Sequence, residues 1–104
     1  MTKPKSLDLA GCGPLLEGAS EFLRMWTGPG RPVTCFIDPT PLGADPFAFG
    51  LALMDCVRHG ANAYAQATGA PVDEAMARIL EGFDAERESP TDTPTALTGQ
   101  GGLN

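Results

Sequence analysis

The chain has 104 residues, 42% of them hydrophobic, with thirteen glycines, ten prolines and a formal net charge of −6; this fits one domain with a large share of turn and arm. Thirteen acidic against seven basic side chains argue against nucleic acid, whose phosphates need a basic patch, and against docking on anionic membranes. No apolar run approaches the ~18 residues that span a bilayer, and Met1 to Ala10 lacks the apolar core of a secretory leader, so the expected location is cytoplasmic.

In chain order, Met1 to Ser6 is polar, and Leu7 to Gly18 is interrupted by Gly11, Gly13 and Pro14. One helical turn fits Pro14 to Ala19, with proline at its first position. Residues 1–19 therefore read as an irregular arm. Gly11-Cys12-Gly13 is a lone G-x-G with no strand before it, a poor phosphate loop. Glu21 to Thr27 (E-F-L-R-M-W-T) predicts a strand, with Phe22, Arg24 and Trp26 on one side and Leu23 and Met25 on the other. Gly28-Pro29-Gly30-Arg31 predicts a turn. Val33 to Ile37 predicts a second strand, with Val33, Cys35 and Ile37 on one face and Thr34 and Phe36 on the other. The two make an antiparallel hairpin whose faces are both partly apolar.

Asp38 to Asp45 contains Pro39, Pro41 and Gly43, which argue against regular structure there. Asp45-Pro46 marks a helix start, an aspartate able to cap free N–H groups ahead of a proline. The helix runs proline-free to Thr68, with Gly69 as its stop. Ala70-Pro71 is the corner into a second helix from Val72 to about Glu88, with Asp73 and Glu74 placed where negative charge suits the helix dipole. Val72, Met76, Ile79, Leu80 and Phe83 form its apolar stripe. Between Asp73 and Asp92 seven acids face only Arg78 and Arg87, a solvated acidic face. Thr93 to Asn104 has little to bury and is expected to be disordered.

The long helix is apolar on two adjoining faces. Phe47, Leu51, Met54, Val57, Ala61 and Tyr64 make one; Phe49, Leu53, Cys56, Gly60, Ala63 and Ala67 make the other, which ends in small residues. Such a helix must be covered from two directions. Asp55, Arg58, His59, Asn62 and Gln66 remain as a polar strip, and the first four are the candidate functional strip, because Asp55 and His59 four apart share a face and an acid that orients a histidine is the minimum for acid–base work. The plainer reading is a structural pair at a contact. An aromatic candidate pocket would use Trp26, Phe36, Phe49 and Tyr64. Cys12, Cys35 and Cys56 lack paired short spacings, so no metal site is expected. Cys35 and Cys56 read as core thiols. No catalytic residue and no cofactor is assigned.

The segments E-F-L-R-M-W-T (Glu21 to Thr27), D-P-F-A-F-G-L-A-L-M-D-C-V-R-H-G-A-N-A-Y (Asp45 to Tyr64), G-F-D-A-E (Gly82 to Glu86) and S-P-T-D (Ser89 to Asp92) together resemble a proteobacterial family of small proteins, the domain-of-unknown-function family 5076. The resemblance runs from about Ser20 to Asp92. Its most specific part is Asp45-Pro46, Gly50, Leu53, Asp55, Arg58-His59 and Ala63-Tyr64. Phe49 departs from the tryptophan usual near the helix start. The resemblance implies the boundaries and a typical Asp55-Arg58-His59 strip, and it brings no activity or cofactor.

The expected fold is α+β over residues 20–92: a β-hairpin packed on two antiparallel helices, order β-β-α-α, between flexible arms. The alternative is a mainly helical domain in which Glu21 to Trp26 continues a helix from Pro14. A two-stranded sheet is marginal alone, and about 70 ordered residues often need support. The favoured function is therefore a homodimeric interaction or assembly protein without catalytic activity. The alternative is a small-molecule-binding protein or enzyme with a pocket near Asp55, Arg58 and His59.

Overall fold

The computed structural model describes residues 3–91; the tail expected from Thr93 onward lies outside them. The order is α1 (Gly13–Leu16), β1 (Leu23–Gly28), β2 (Arg31–Ile37), a 3₁₀ turn (Thr40–Leu42), α2 (Phe47–Thr68) and α3 (Val72–Glu88). The strands form an antiparallel hairpin, and the two long helices pack on each other. This is the expected β-β-α-α order. The mainly helical alternative fails because α1 ends at Leu16 and Leu23–Gly28 is a strand.

Pairing Leu23 with Ile37, Arg24 with Phe36, Met25 with Cys35 and Trp26 with Thr34 reproduces the expected faces. Leu23, Met25, Cys35 and Ile37 share one; Phe22, Trp26 and Phe36 belong to the other. Pro29 and Gly30 close the turn, and Gly30 takes φ 66°, open to glycine without steric cost. Between Trp26 and Gly28 the pairing shifts, so Thr27 faces both Pro32 and Val33. Pro32 has no N–H to offer a ladder, which suits it to such a bulge.

The segment Asp38 to Asp45 is more ordered than its prolines suggest. Asp38 accepts hydrogen bonds from the Thr40 hydroxyl at 2.7 Å and the Thr40 amide at 3.1 Å. Leu42 N–H then donates to the Pro39 carbonyl at 2.9 Å, completing one 3₁₀ turn. The Thr40 hydroxyl, then the Thr40 amide, hold the Asp38 carboxyl below the usual carboxylate range. This bond set is therefore intact above the ordinary aspartate value of about 3.9 and is lost as pH falls through the lower folded value. The Thr40 amide resonance should titrate only below the ordinary value, and Thr40→Val should move that transition upward. Titration of wild type at or above the ordinary value would refute the assignment.

At the start of α2, Asp45 accepts from the Phe47 amide at 3.0 Å, the cap its position promised. Gly69 ends the helix at φ 78° with its amide on the Ala65 carbonyl, and the Thr68 hydroxyl bonds the Tyr64 carbonyl at 2.8 Å. The short corner reverses the chain, so α3 returns antiparallel along α2. Val57 and Ala61, 7% and 1% exposed, are the only buried residues among those described. They mark the centre of the helix pair. At Gly60 a methyl group would sit 3.8 Å from the Ile79 Cδ1, an ordinary contact. Gly60→Ala should therefore gain roughly 0.5–1 kcal/mol of helix propensity and raise the melting temperature. A fall would show that something else lies closer to Gly60 in solution.

The hairpin meets the helices through Phe22, whose ring stands edge-on to Phe49 with centroids 6.3 Å apart. The rest of α2 is covered on the α3 side alone. Phe47 is 70% and Leu51 59% exposed, and Ala63 and Ala67 are exposed as well. Cys56, read from its apolar surroundings as a core thiol, is exposed and Cys35 half-buried. The reason is angular: Cys56 lies one residue round from Val57, on the face that α3 does not reach.

Candidate functional site

The polar strip lies open on α2. His59 Nε2 stands 3.3 Å from Asp55 Oδ2, with the two side chains 77% and 66% exposed. Arg58 and Asn62 are exposed beside them. An exposed pair four apart on a helix contributes roughly 0.3–0.5 kcal/mol. None of the four borders either of the two grooves described next.

The aromatic candidates divide. Trp26 and Phe36 share a groove of about 560 Å³ with Phe22 of the same hairpin face and with Leu23 and Ile37 of the first strand pair. Arg24 and Glu21 stand at its rim, the guanidinium engaging both carboxylate oxygens, with Nε 3.0 Å from Oε2. This ion pair holds Glu21 below the usual carboxylate range, first through the hydrogen bond and then through charge. Tyr64 lines a second groove of about 560 Å³ with Thr68, Ala75 and Ile79, flanked by Glu74 and Arg78. Phe49 belongs to neither and is engaged with Phe22. The four residues thus do not form one pocket.

Several polar contacts had only faint signals in the sequence. The Glu21–Arg24 pair joins a residue before the hairpin to β1 at a spacing of three, which carries little meaning outside a helix. Glu86 accepts from the Thr91 amide at 2.8 Å and the Thr91 hydroxyl at 3.0 Å, tying the Ser89-Pro90-Thr91 segment back onto the end of α3. Those bonds give Glu86 and Thr91, both within the resembling segments, a structural purpose. Among the described residues no three metal-ligating side chains gather, and no helix is long and apolar enough to cross a membrane.

The sequence description of a domain of unknown function, DUF5076, matches residues 16–91. The chain belongs to the DUF5076 family. No curated protein matches the DUF5076 chain. A solved structure from the photosynthetic bacterium Rhodopseudomonas palustrus CGA009, which carries the provisional designation of a pyruvate dehydrogenase, is similar at 36% identity and a TM-score of 0.65. The similarity covers 96% of the DUF5076 chain and 100% of the other. The family match spans the hairpin, the 3₁₀ turn and both long helices, so the strip, the second groove and all of the first groove's lining but Pro4 sit inside it.

Proposed function

We propose that this DUF5076 domain is a homodimeric assembly protein without catalytic activity. One observation carries the reading: among the described residues two are buried while twelve large apolar side chains are exposed. Apolar burial is the main favourable term in folding, and a hairpin whose aromatic packing on the helices is the Phe22–Phe49 pair gains little of it. Met25, Val33, Phe47, Leu51, Leu80 and Phe83, all exposed, together present on the order of 600 Å² of apolar surface. A standard interface removes about 800 Å² per partner. A second copy supplies a surface of matching size and character, and a two-fold axis closes the assembly.

Light scattering after size exclusion tests this directly. A dimer at micromolar concentration, with a melting temperature that rises with concentration, is the expected result. A monomer with a cooperative transition independent of concentration overturns it.

In this reading the Asp55, Arg58, His59 and Asn62 strip is structural and meets the other chain. His59→Ala should then weaken the dimer by about 1 kcal/mol through an unpaired polar partner, while secondary structure stays unchanged. An unaltered dissociation constant would place the strip outside the interface.

A second reading draws on Trp26 and Phe36 sharing a groove with Arg24 at its rim, an apolar cleft with a few polar groups of the kind that takes a small molecule. The designation of the Rhodopseudomonas protein makes pyruvate one probe to include. A ligand of the native state must raise the melting temperature by mass action. A Trp26-dependent rise would favour this reading over the first.

A further inference from the structure

The two free edges of the hairpin are unequal, and the difference indicates how two copies meet. The Asp38 amide donates to the Phe22 carbonyl at 2.9 Å, so Phe22 and Asp38 face each other as a hydrogen-bonded pair. In an antiparallel ladder such pairs alternate with open ones. Arg24 with Phe36 and Trp26 with Thr34 therefore exchange the bonds inside the hairpin. Leu23 and Met25 on β1, and Cys35 and Ile37 on β2, turn their N–H and C=O groups outward. No backbone bond to another described segment satisfies them.

Edge strands are commonly guarded by charge or proline. The β1 edge is guarded: Arg24 stands between Leu23 and Met25 and is held by Glu21. Antiparallel pairing of β1 with itself about Arg24 would set two like charges opposite each other, an unfavourable arrangement. The β2 edge carries no charge from Val33 through Ile37, and these β-branched, aromatic and thiol side chains suit a paired strand. Pro32 lies at the bulge, before this stretch begins.

We infer that two copies join through β2, antiparallel across a two-fold axis at Cys35, to make one four-stranded sheet ordered β1-β2-β2-β1. The inference rests on the dimeric reading above and specifies its interface. Outward residues must meet outward residues, which allows Cys35 to face its own copy, Ile37 of that copy, or Val33 of that copy; the last runs the pairing back through the bulge at Pro32 to the charged Arg31. The second choice carries the pairing past Ile37 and brings Pro39 of the 3₁₀ turn against Val33. The first uses the extended stretch Val33 to Ile37 and keeps both 3₁₀ turns clear. The joined sheet also widens each apolar face, Leu23-Met25-Cys35-Ile37 on one side and Phe22-Trp26-Phe36 on the other. A wider face gives the exposed side chains of α2 and α3 a surface on which to lie.

The position of Cys35 makes this testable with few changes. Facing residues of a hydrogen-bonded pair have Cα atoms about 5.5 Å apart, inside the range a disulfide spans. Diamide treatment of the Cys12→Ser, Cys56→Ser protein should give a covalent dimer, and the Cys35→Ser protein should give none that depends on the native assembly. In the untreated wild type, amide exchange at Cys35 and Ile37 should be at least a hundredfold slower than at Leu23 and Met25. A dimer by light scattering whose Cys35 stays unlinked overturns the two-fold position. A dimer whose Cys35 and Ile37 amides exchange as fast as those of β1 overturns the edge pairing. A monomer overturns the dimeric reading itself, so the failures are told apart.

Discussion

Leu51→Glu should raise the dissociation constant of the dimer at least a hundredfold, equivalent to about 3 kcal/mol. Leu51 is 59% exposed on the single chain, one turn after Phe47 at 70%. The 17-residue α3 is shorter than the 22-residue α2 by roughly 7 Å at 1.5 Å per residue. Returning from the corner, α3 therefore stops short of the first turn of α2, which the hairpin touches at Phe49 while Phe47 and Leu51 stay open. On an isolated chain the substitution replaces an exposed leucine by a good helix former, a change within about 0.5 kcal/mol. At an interface it forces a carboxylate from water without a partner, which costs far more. Sedimentation velocity across a concentration series reads the difference. Leu51→Met, which keeps volume and apolar character, should stay dimeric. If Leu51→Glu assembles like wild type, the first turn of α2 faces solvent and the interface lies elsewhere.

The same turn shows what the sequence could reveal. Asp45-Pro46 and Gly69 placed both ends of α2 because capping and left-handed stops act within a few residues. The hairpin was legible for a similar reason: the alternation of large side chains on either side of Gly28-Pro29-Gly30-Arg31 defines pairing and faces together. The 3₁₀ turn was missed because its support is the Asp38 side chain reaching Thr40, a local bond that competes with the disruptive effect of Pro39 and Pro41. Periodicity marked Cys56, Ala63 and Ala67 as apolar, and it could not state whether the chain itself covers them. Coverage depends on which neighbour arrives and from where. Here one helix arrives, over Val57, Gly60 and Ala61, and parts of both faces stay open: Phe47, Leu51 and Tyr64 of one, Cys56, Ala63 and Ala67 of the other.

The candidate pocket illustrates that limit from another side. Trp26 and Phe36 are brought together by strand pairing, which is local and readable from the hairpin. Joining them to Phe49 and Tyr64 requires the hairpin to fold over α2, and α2 separates Phe49 from Tyr64 by fifteen positions, about 22 Å along its axis at 1.5 Å per residue. A single groove the size of those on this chain does not reach both. The strip from Asp55 to Asn62 was legible as a pattern of charge, since helical spacing alone aligns it. Its open exposure follows from the position of α3, which the pattern does not contain.

Ala61→Leu should be the most damaging single change within one chain, lowering stability by about 3 kcal/mol. Ala61 is 1% exposed and lies beside Gly60, where the Ile79 side chain already reaches across from α3. The three added carbons have nowhere to go unless the helices separate, and separating them strips cover from Val57, the other buried residue. Interiors packed to crystal density transmit such strain. For an ordered unit of this size the loss corresponds to a fall in melting temperature of roughly 12–24 °C. Ala77→Leu is the control: Ala77 is exposed on α3, leucine is nearly as good a helix former there, and its melting temperature should stay within a few degrees of wild type. Because the helix pair is the scaffold on which any second copy docks, Ala61→Leu should also lower the dimer fraction, in proportion to the native population lost. Equal melting temperatures for the two variants would mean that α2 and α3 are not in contact at Ala61 in solution.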